Sequence, residues 1–442
     1  MQIIIAGAGK VGYLLAQSLN VRHNVIIIDN NSKALQRIAD SLDLLTIVGN
    51  AEDPDTYKSI TFKQSDLFVA VTDSDEVNLI SCLIIDEYVQ CNEKIIRLKN
   101  SFFHESSITK KLGITKAVFP ILRTAEAIRS LLQYPQANSI KTIDGSTFTL
   151  TSLRIHPKSD IATPSLSQLE NATMKLIGIE REKHLFLVKE VESIQADDLL
   201  YFYGDPLQIP RLCSLIDTKM PLAIKNIVIF GADELGIEIA RHLNTYDVNI
   251  KIVEHDLEVC QRAAALLKTV TILNGRYGDH ALYEEEGLKN ADMLIATSKD
   301  DAANIIKCLE AREHGIERVV AINNDTEYYH LMHNLNIVPM RGVKTVAYYT
   351  ILESITTSKV IVTKHFCGSS GVIYIRRINP DSTLIDKNIK PFEHLACTCI
   401  IQRQKEMIPM ETAYDAIHSG DIIIVFCLAE IEEKVQKWIH NL

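Results

Sequence analysis

The chain has 442 residues, 47% hydrophobic and 23% charged, with a formal net charge of −10. Its length predicts about two to four domains with substantial cores, its composition reads as soluble and globular, and its acidic balance argues against nucleic acid as a partner, absent a local basic patch. No apolar run approaches the ~18 residues of a membrane span, the N-terminus opens on a strand pattern rather than a leader, and nine cysteines without a disulfide framework suit a reducing cytoplasm.

Residues 2–6 form an apolar run that feeds the turn Gly7-Ala8-Gly9-Lys10-Val11-Gly12 and then an amphipathic helix with the stripe Val11, Leu14, Leu15 and Leu19. Gly7 permits the sharp turn, Gly9 lets the backbone approach a pyrophosphate, and Gly12 lets the helix lie close on the strand. The helix N-terminus then faces the phosphates with unpaired N–H groups. A second strand, residues 25–28, ends at Asp29, a carboxylate placed to accept from ribose hydroxyls, which favours NAD over NADP. Together these elements predict a Rossmann-like nucleotide-binding unit; the bland alternative is a structural turn.

Residues 32–39 read as a helix capped at Asn31 or Ser32. Strands follow at 44–48, ending in Gly49, Asn50 and Ala51; at 66–71, ending in Thr72, Asp73, Ser74 and Asp75; at 94–99, carrying Arg97; and at 117–119, stopped by Pro120. Strands separated by helices imply a parallel sheet with its ligand crevice at the strands' carboxyl ends. Thr72 and Asp73 read equally as ligand contacts or turn formers. Arg97, a guanidinium in an apolar strand, requires an anion, either a ligand phosphate or a buried structural carboxylate. Ala125, Ile128, Leu131 and Leu132 make a helical stripe over 124–132 that either closes its own domain or crosses to another subunit. Residues 146–155 then alternate, 174–180 and 184–189 read as a hairpin, and 198–203 as a strand before a short helix at 206–216, together a small α+β domain.

The arrangement repeats at an offset of about 225 residues. Gly231 and Gly236 answer Gly7 and Gly12, Glu254 answers Asp29, and Ser298, Asp301, Asn304 and Cys308 answer Thr72, Asp75, Asn78 and Cys82. Pro339 answers Pro120, and residues 417–426 answer 194–203. The chain is thus read as a tandem duplication, with Rossmann-like domains at 1–135 and 225–357 and small α+β domains at 139–220 and 360–442. The copies differ chemically: Asp233 replaces Gly9, adding bulk and negative charge, and Ala321 is aligned with Arg97. The second nucleotide site is expected to be weak, altered or empty. Cys397 and Cys399 form a CxC pair that reads as packing, so no metal site is assigned.

The motifs GAGKVG at 7–12, Asp29, VTDSDEVN at 71–78, Arg97, and Gly420-Asp421 before the last apolar strand together resemble the Trk-system TrkA family, built from two tandem regulator-of-potassium-conductance (RCK) units, over essentially the whole chain. The resemblance implies that the N-terminal domain binds NAD(H) and adenine nucleotides (ATP, ADP), and that the chain forms a cytoplasmic homo-oligomeric ring, a tetramer. That ring would gate a TrkH/TrkG-like membrane potassium-translocating subunit at the cytoplasmic face of the inner membrane. It places the backbone of Gly7, Gly9, Lys10, Val11 and Gly12 on the phosphates, Asp29 on the ribose, and Thr72 and Asp73 beside the nucleotide, with Ala8 and Ala51 also expected among the cofactor-binding residues. Arg97 and Lys99 would meet its phosphates, with Glu254 and Ser298 as counterparts in the second copy. Lys10 is read either as reaching a terminal phosphate or as an exposed lysine. Asp197 stands where the family has a glycine and reads as a changed turn. No catalytic residue is assigned: His156 and His184 read as surface histidines, although an NAD-dependent oxidoreductase and a regulator of another cation transporter or antiporter remain the rival readings.

Overall fold

The computed structural model describes residues 1–60, 63–143, 147–156, 165–216, 223–356, 361–410 and 416–442. The expected boundaries at 220, 357 and 360, and the start of the alternating run at 146, lie outside the described residues. The chain divides into two compact units, one of residues 1–124 and 341–352, the other of 125–340 and 353–442.

In the first unit, β1 (Gln2–Ala6), β2 (Asn24–Asp29), β3 (Leu45–Val48), β4 (Gln64–Ala70), β5 (Gln90–Arg97) and β6 (Lys116–Val118) form a parallel sheet in the order β3-β2-β1-β4-β5-β6. β1 is a continuous apolar run because both its faces are covered: Ile3, Ile4, Ile5 and Ala6 are fully buried. The chain runs from β1 outward to β2 and β3 and then crosses back to β4 on the other side of β1, a reversal that opens a crevice at the carboxyl ends of β1 and β4.

This unit also holds a segment the sequence reading assigned to the second half. The helix Val343–Thr356 contributes its residues as far as Leu352, with Ala347 and Ile351 fully buried. The helix Pro120–Gln133, left open between its own domain and another subunit, instead passes from one unit of the chain to the other at Ala125.

In the second unit, β7 (Ala137–Thr142), β8 (Thr149–Arg154), β9 (Met174–Arg181), β10 (His184–Leu187) and β11 (Leu199–Gly204) form an antiparallel sheet in the order β10-β9-β11-β8-β7. A second parallel sheet of β12 (Asn226–Phe230), β13 (Asn249–Glu254), β14 (Thr271–Asn274), β15 (Met293–Ala296), β16 (Arg318–Asn323) and β17 (Val338–Arg341) repeats the order of the first. Then β18 (Ile361–Phe366), β19 (Gly371–Arg377), β20 (Cys397–Arg403), β21 (Glu406–Pro409) and β22 (Ile422–Leu428) repeat the small sheet strand for strand, in the order β18-β19-β22-β20-β21. The fold is α/β throughout: two Rossmann-like parallel sheets, each followed by a small α+β domain.

The alternation read over 146–155 does not produce an exposed face, since every residue of β8 is buried. Leu150 enters a core shared by both small sheets, where Tyr203 meets Phe426 edge to face at 5.5 Å, while Leu153 enters a separate core with Ile209 and Leu212. β7, with the sequence ANSIKT, escaped the sequence reading because it carries no apolar alternation. Each small sheet is locked by the same buried fork: Arg181 donates to both oxygens of Asp198 at 2.8 Å, and Arg403 to those of Asp421 at 3.0 and 2.9 Å. The turn expected to change at Asp197 is instead retained. Gly420 has φ +86° and Asp197 φ +74°, a conformation aspartate tolerates better than most residues, and the Asp197 carboxylate accepts from Arg154 Nε at 2.9 Å. Cys397 and Cys399 share one core with their sulfurs 3.8 Å apart. Among the described residues, no three His, Cys, Asp or Glu side chains are grouped to hold a metal ion.

Candidate functional site

The crevice of the first unit is a cavity of about 1120 Å³ at the carboxyl ends of β1, β2 and β4. That exceeds the ~300–1,000 Å³ of ordinary small-molecule sites and suits an extended ligand. Its floor is the glycine turn. Gly7 has φ +111°, and a Cβ there would meet the Thr72 amide nitrogen at 3.0 Å; a Cβ on Gly12 would lie 1.8 Å from the Gly7 carbonyl oxygen. Both glycines are therefore required by the chain's own packing. Gly9 is different. Its φ of −67° suits any residue, and a Cβ there would meet nothing within 4 Å. The space it leaves lies at the N-terminus of the helix Lys10–Asn20, which no side chain caps and which has no acid in its first turn. Unprovided N–H groups beside open space form a cradle for an anion.

Asp29 closes the turn from the side, accepting from the amides of Ala8 at 2.6 Å and Asn31 at 2.7 Å. Each carboxylate oxygen retains a second lone pair for a hydroxyl donor. Across the crevice, Asn78 ties two strand ends together. Its Oδ1 accepts from the Thr72 amide at 2.9 Å and the Thr72 hydroxyl at 2.7 Å, while its Nδ2 donates to the carbonyls of Thr72 and Arg97 at 3.1 and 2.9 Å. Asp75 accepts from the amides of Lys99 and Asn100 at 2.8 and 2.9 Å, fixing the chain just past β5. The motif at 71–78 is thus chiefly a frame.

Arg97 emerges from that frame only 5% exposed. Its Nη2 lies 3.2 Å from Asp73 Oδ1, but the Asp73 side chain is 88% exposed, and Arg97 Nε is buried with no hydrogen-bond partner. An exposed carboxylate compensates a buried guanidinium poorly, so the structural ion pair leaves the buried Nε of Arg97 unsatisfied, in a side chain that lines the crevice. Open space at Gly9 and an orphaned donor at Arg97 both fit a phosphate-bearing ligand.

The crevice brings together Gly7, Ala8, Gly9, Lys10, Val11, Asp29, Ala51, Thr72, Asp73 and Arg97. Gly12 and Lys99 are not among its lining residues: Gly12 is buried against Gly7, and the Lys99 ammonium donates to the Asp73 carbonyl at 2.5 Å. The sequence reading missed Arg37 and Lys344. Arg37 lies on the helix Ser32–Ala39, which begins just past Asp29; Lys344, some 300 residues away in sequence, gave no local signal.

In the second parallel sheet the frame is retained and the cradle is not. Asn304 bonds Ser298 and the Ile322 carbonyl as Asn78 bonds Thr72 and Arg97, and Glu254 accepts from the Ala232 amide at 3.0 Å. That register corrects one assignment: Ile322, not Ala321, stands opposite Arg97, since Ala296 pairs with Ala321 as Ala70 pairs with Ile96. The cation is lost either way. Asp233 has φ −71° and ψ −177°, the conformation of Gly9, and its carboxylate accepts from the Gly236 amide at 3.0 Å. Burial raises its pKa, against the opposing influence of the Gly236 N–H and Lys299. At the position of Ala51 stands Tyr277, with the buried Lys307 ammonium 5.6 Å from its ring centroid; burial lowers the Lys307 pKa, while Glu254 and Asp233 oppose that. Burial acts to raise the pKa of Glu254 too, but the amides of Ala232 and Asp256 and the neighbouring His255 bring it below the ordinary value.

A family model described as the TrkA-N domain matches residues 3–120 and 227–340. The chain is 25% identical to Trk system potassium uptake protein TrkA homolog 1 of Methanosarcina mazei, over 99% of this chain and 100% of that one. It is 26% identical to a TrkA homolog of Archaeoglobus fulgidus over 99% of each. Among solved structures, the GsuK channel superposes with a TM-score of 0.64 at 17% identity, covering 100% of this chain and 79% of that one, and the GsuK channel bound to NAD with a TM-score of 0.63. At that identity the structural likeness speaks to the fold.

Proposed function

The chain belongs to the TrkA-N domain family, and from that premise we propose that it is a regulatory subunit of potassium transport that senses NAD(H) or adenine nucleotides in its first crevice without transforming them. The observation that carries the reading is the pairing of open space at Gly9 with the unpartnered Nε of Arg97 on one cavity lining. Phosphates would lie on the amides of the glycine turn, between the helix N-terminus and Arg97, with Lys10 within the same lining and Asp29 at the ribose. The full-length similarity to proteins named for Trk potassium uptake supports the potassium-transport half of the reading.

No helix among the described residues is long and apolar enough to cross a membrane. In this reading, control of potassium flux runs through a separate membrane subunit of the TrkH/TrkG type, engaged by a homo-oligomeric ring of this chain at the cytoplasmic face. A nucleotide can shift such a gate only by binding two ring conformations with different affinity. The test is potassium flux through the reconstituted membrane subunit with and without this protein, and with and without NADH, ADP or ATP. Nucleotide-dependent flux that requires this protein is expected. Turnover of NADH against carbonyl substrates would instead favour an oxidoreductase; among the described residues, no histidine lines the crevice to serve as its acid or base.

A further inference from the structure

One residue of the crevice lining does not come from the first 124 residues. It is Lys344, the second residue of the helix Val343–Thr356. Two contacts hold the start of that helix against the first sheet's helices, and a third braces it internally. The hydroxyls of Ser18 and Tyr348 are 2.7 Å apart, the Thr124 hydroxyl donates to the Arg341 carbonyl at 3.4 Å, and the Arg341 guanidinium lies 4.0 Å from the Tyr349 ring centroid. The first turn of a 14-residue helix and its lysine thus border the same cavity as the uncapped N-terminus of the helix Lys10–Asn20 and the unsatisfied guanidinium of Arg97. Such an arrangement favours a ligand carrying several negative charges rather than one.

We propose that Lys344 binds the phosphates of the nucleotide, and that through it the helix Val343–Thr356, which runs on in sequence toward the second small sheet, reports occupancy of the first crevice to the second half of the chain. The proposal rests on the nucleotide reading above and extends it by naming the residue and the element that sense the ligand. A ligand acts on a remote element only through an interaction that differs between states, and a phosphate–ammonium contact spanning two segments of the chain supplies one.

Full-length wild type, Lys344→Gln and Lys344→Arg are to be compared by calorimetry with NADH and ADP, and by hydrogen exchange over residues 343–352. Loss of one charged contact is expected to weaken both ligands about tenfold in Lys344→Gln, while Lys344→Arg stays within about threefold of wild type. ADP should slow exchange over 343–352 in wild type and not in Lys344→Gln. Wild-type protein that binds neither ligand would remove the nucleotide reading and this proposal with it. Binding by wild type together with an unchanged affinity in Lys344→Gln, an equal loss in both variants, or unslowed exchange over 343–352 would overturn this proposal alone.

Discussion

The two parallel sheets carry the same frame around opposite interiors. In both, an asparagine four bonds deep, Asn78 or Asn304, ties the ends of neighbouring strands, and an acid, Asp29 or Glu254, closes the glycine turn. In the first, the helix N-terminus faces open space and an incompletely satisfied arginine. In the second, Asp233 supplies the anion from within the chain, Tyr277 stands where the first has alanine, and Ile322 removes the cation. A Rossmann-like fold is therefore compatible with an open cradle or a self-satisfied one, and a few residues on a shared frame decide which.

The most severe way to break this comparison is to convert the first turn into the second. Gly9→Asp places a carboxylate at the helix N-terminus where a phosphate would lie, and should weaken NADH binding roughly 100-fold or more by calorimetry. Unchanged binding would be fatal to the site. Arg97→Leu imitates Ile322 without disturbing the Asn78 frame, which uses only the Arg97 carbonyl; an affinity loss of about tenfold is expected for NADH and ADP.

Asp233→Asn tests the second turn. Asparagine preserves the cap on the helix Glu234–Leu243 but does not titrate. Burial raises the folded pKa of Asp233 above its ordinary value, so the stability it contributes is complete below the ordinary carboxylate range and is lost as pH rises through the raised value. The unfolding midpoint of Asp233→Asn should accordingly gain on wild type as pH climbs from about 4 toward neutrality; a difference that stays flat or shrinks would contradict a disfavoured internal carboxylate. The smallest effect belongs to Lys99→Gln. With its ammonium on the Asp73 carbonyl rather than on the crevice lining, NADH affinity should change by less than about twofold, as for other exposed contacts. A loss comparable to that of Arg97→Leu would return Lys99 to the phosphates.

Much of this was legible in the chain because it is local. A buried parallel strand must be a short apolar run, a tight strand-to-helix turn needs glycine, and an acid ending the next strand reaches that turn, so β1, Gly7, Gly12 and Asp29 follow from spacing alone. The duplication was legible for the same reason, and so was the loss of the second cradle at Asp233. What the tertiary structure decided is whatever depends on residues far apart in sequence. β8 alternates yet shows no exposed face, because two cores cover it; Arg97 could have been fully paired, but the geometry leaves its Nε unmet. Lys344 completes the crevice because the helix it begins joins the first unit rather than the sheet that precedes it in sequence. Periodicity reports which face of an element is buried, not which other element will bury it.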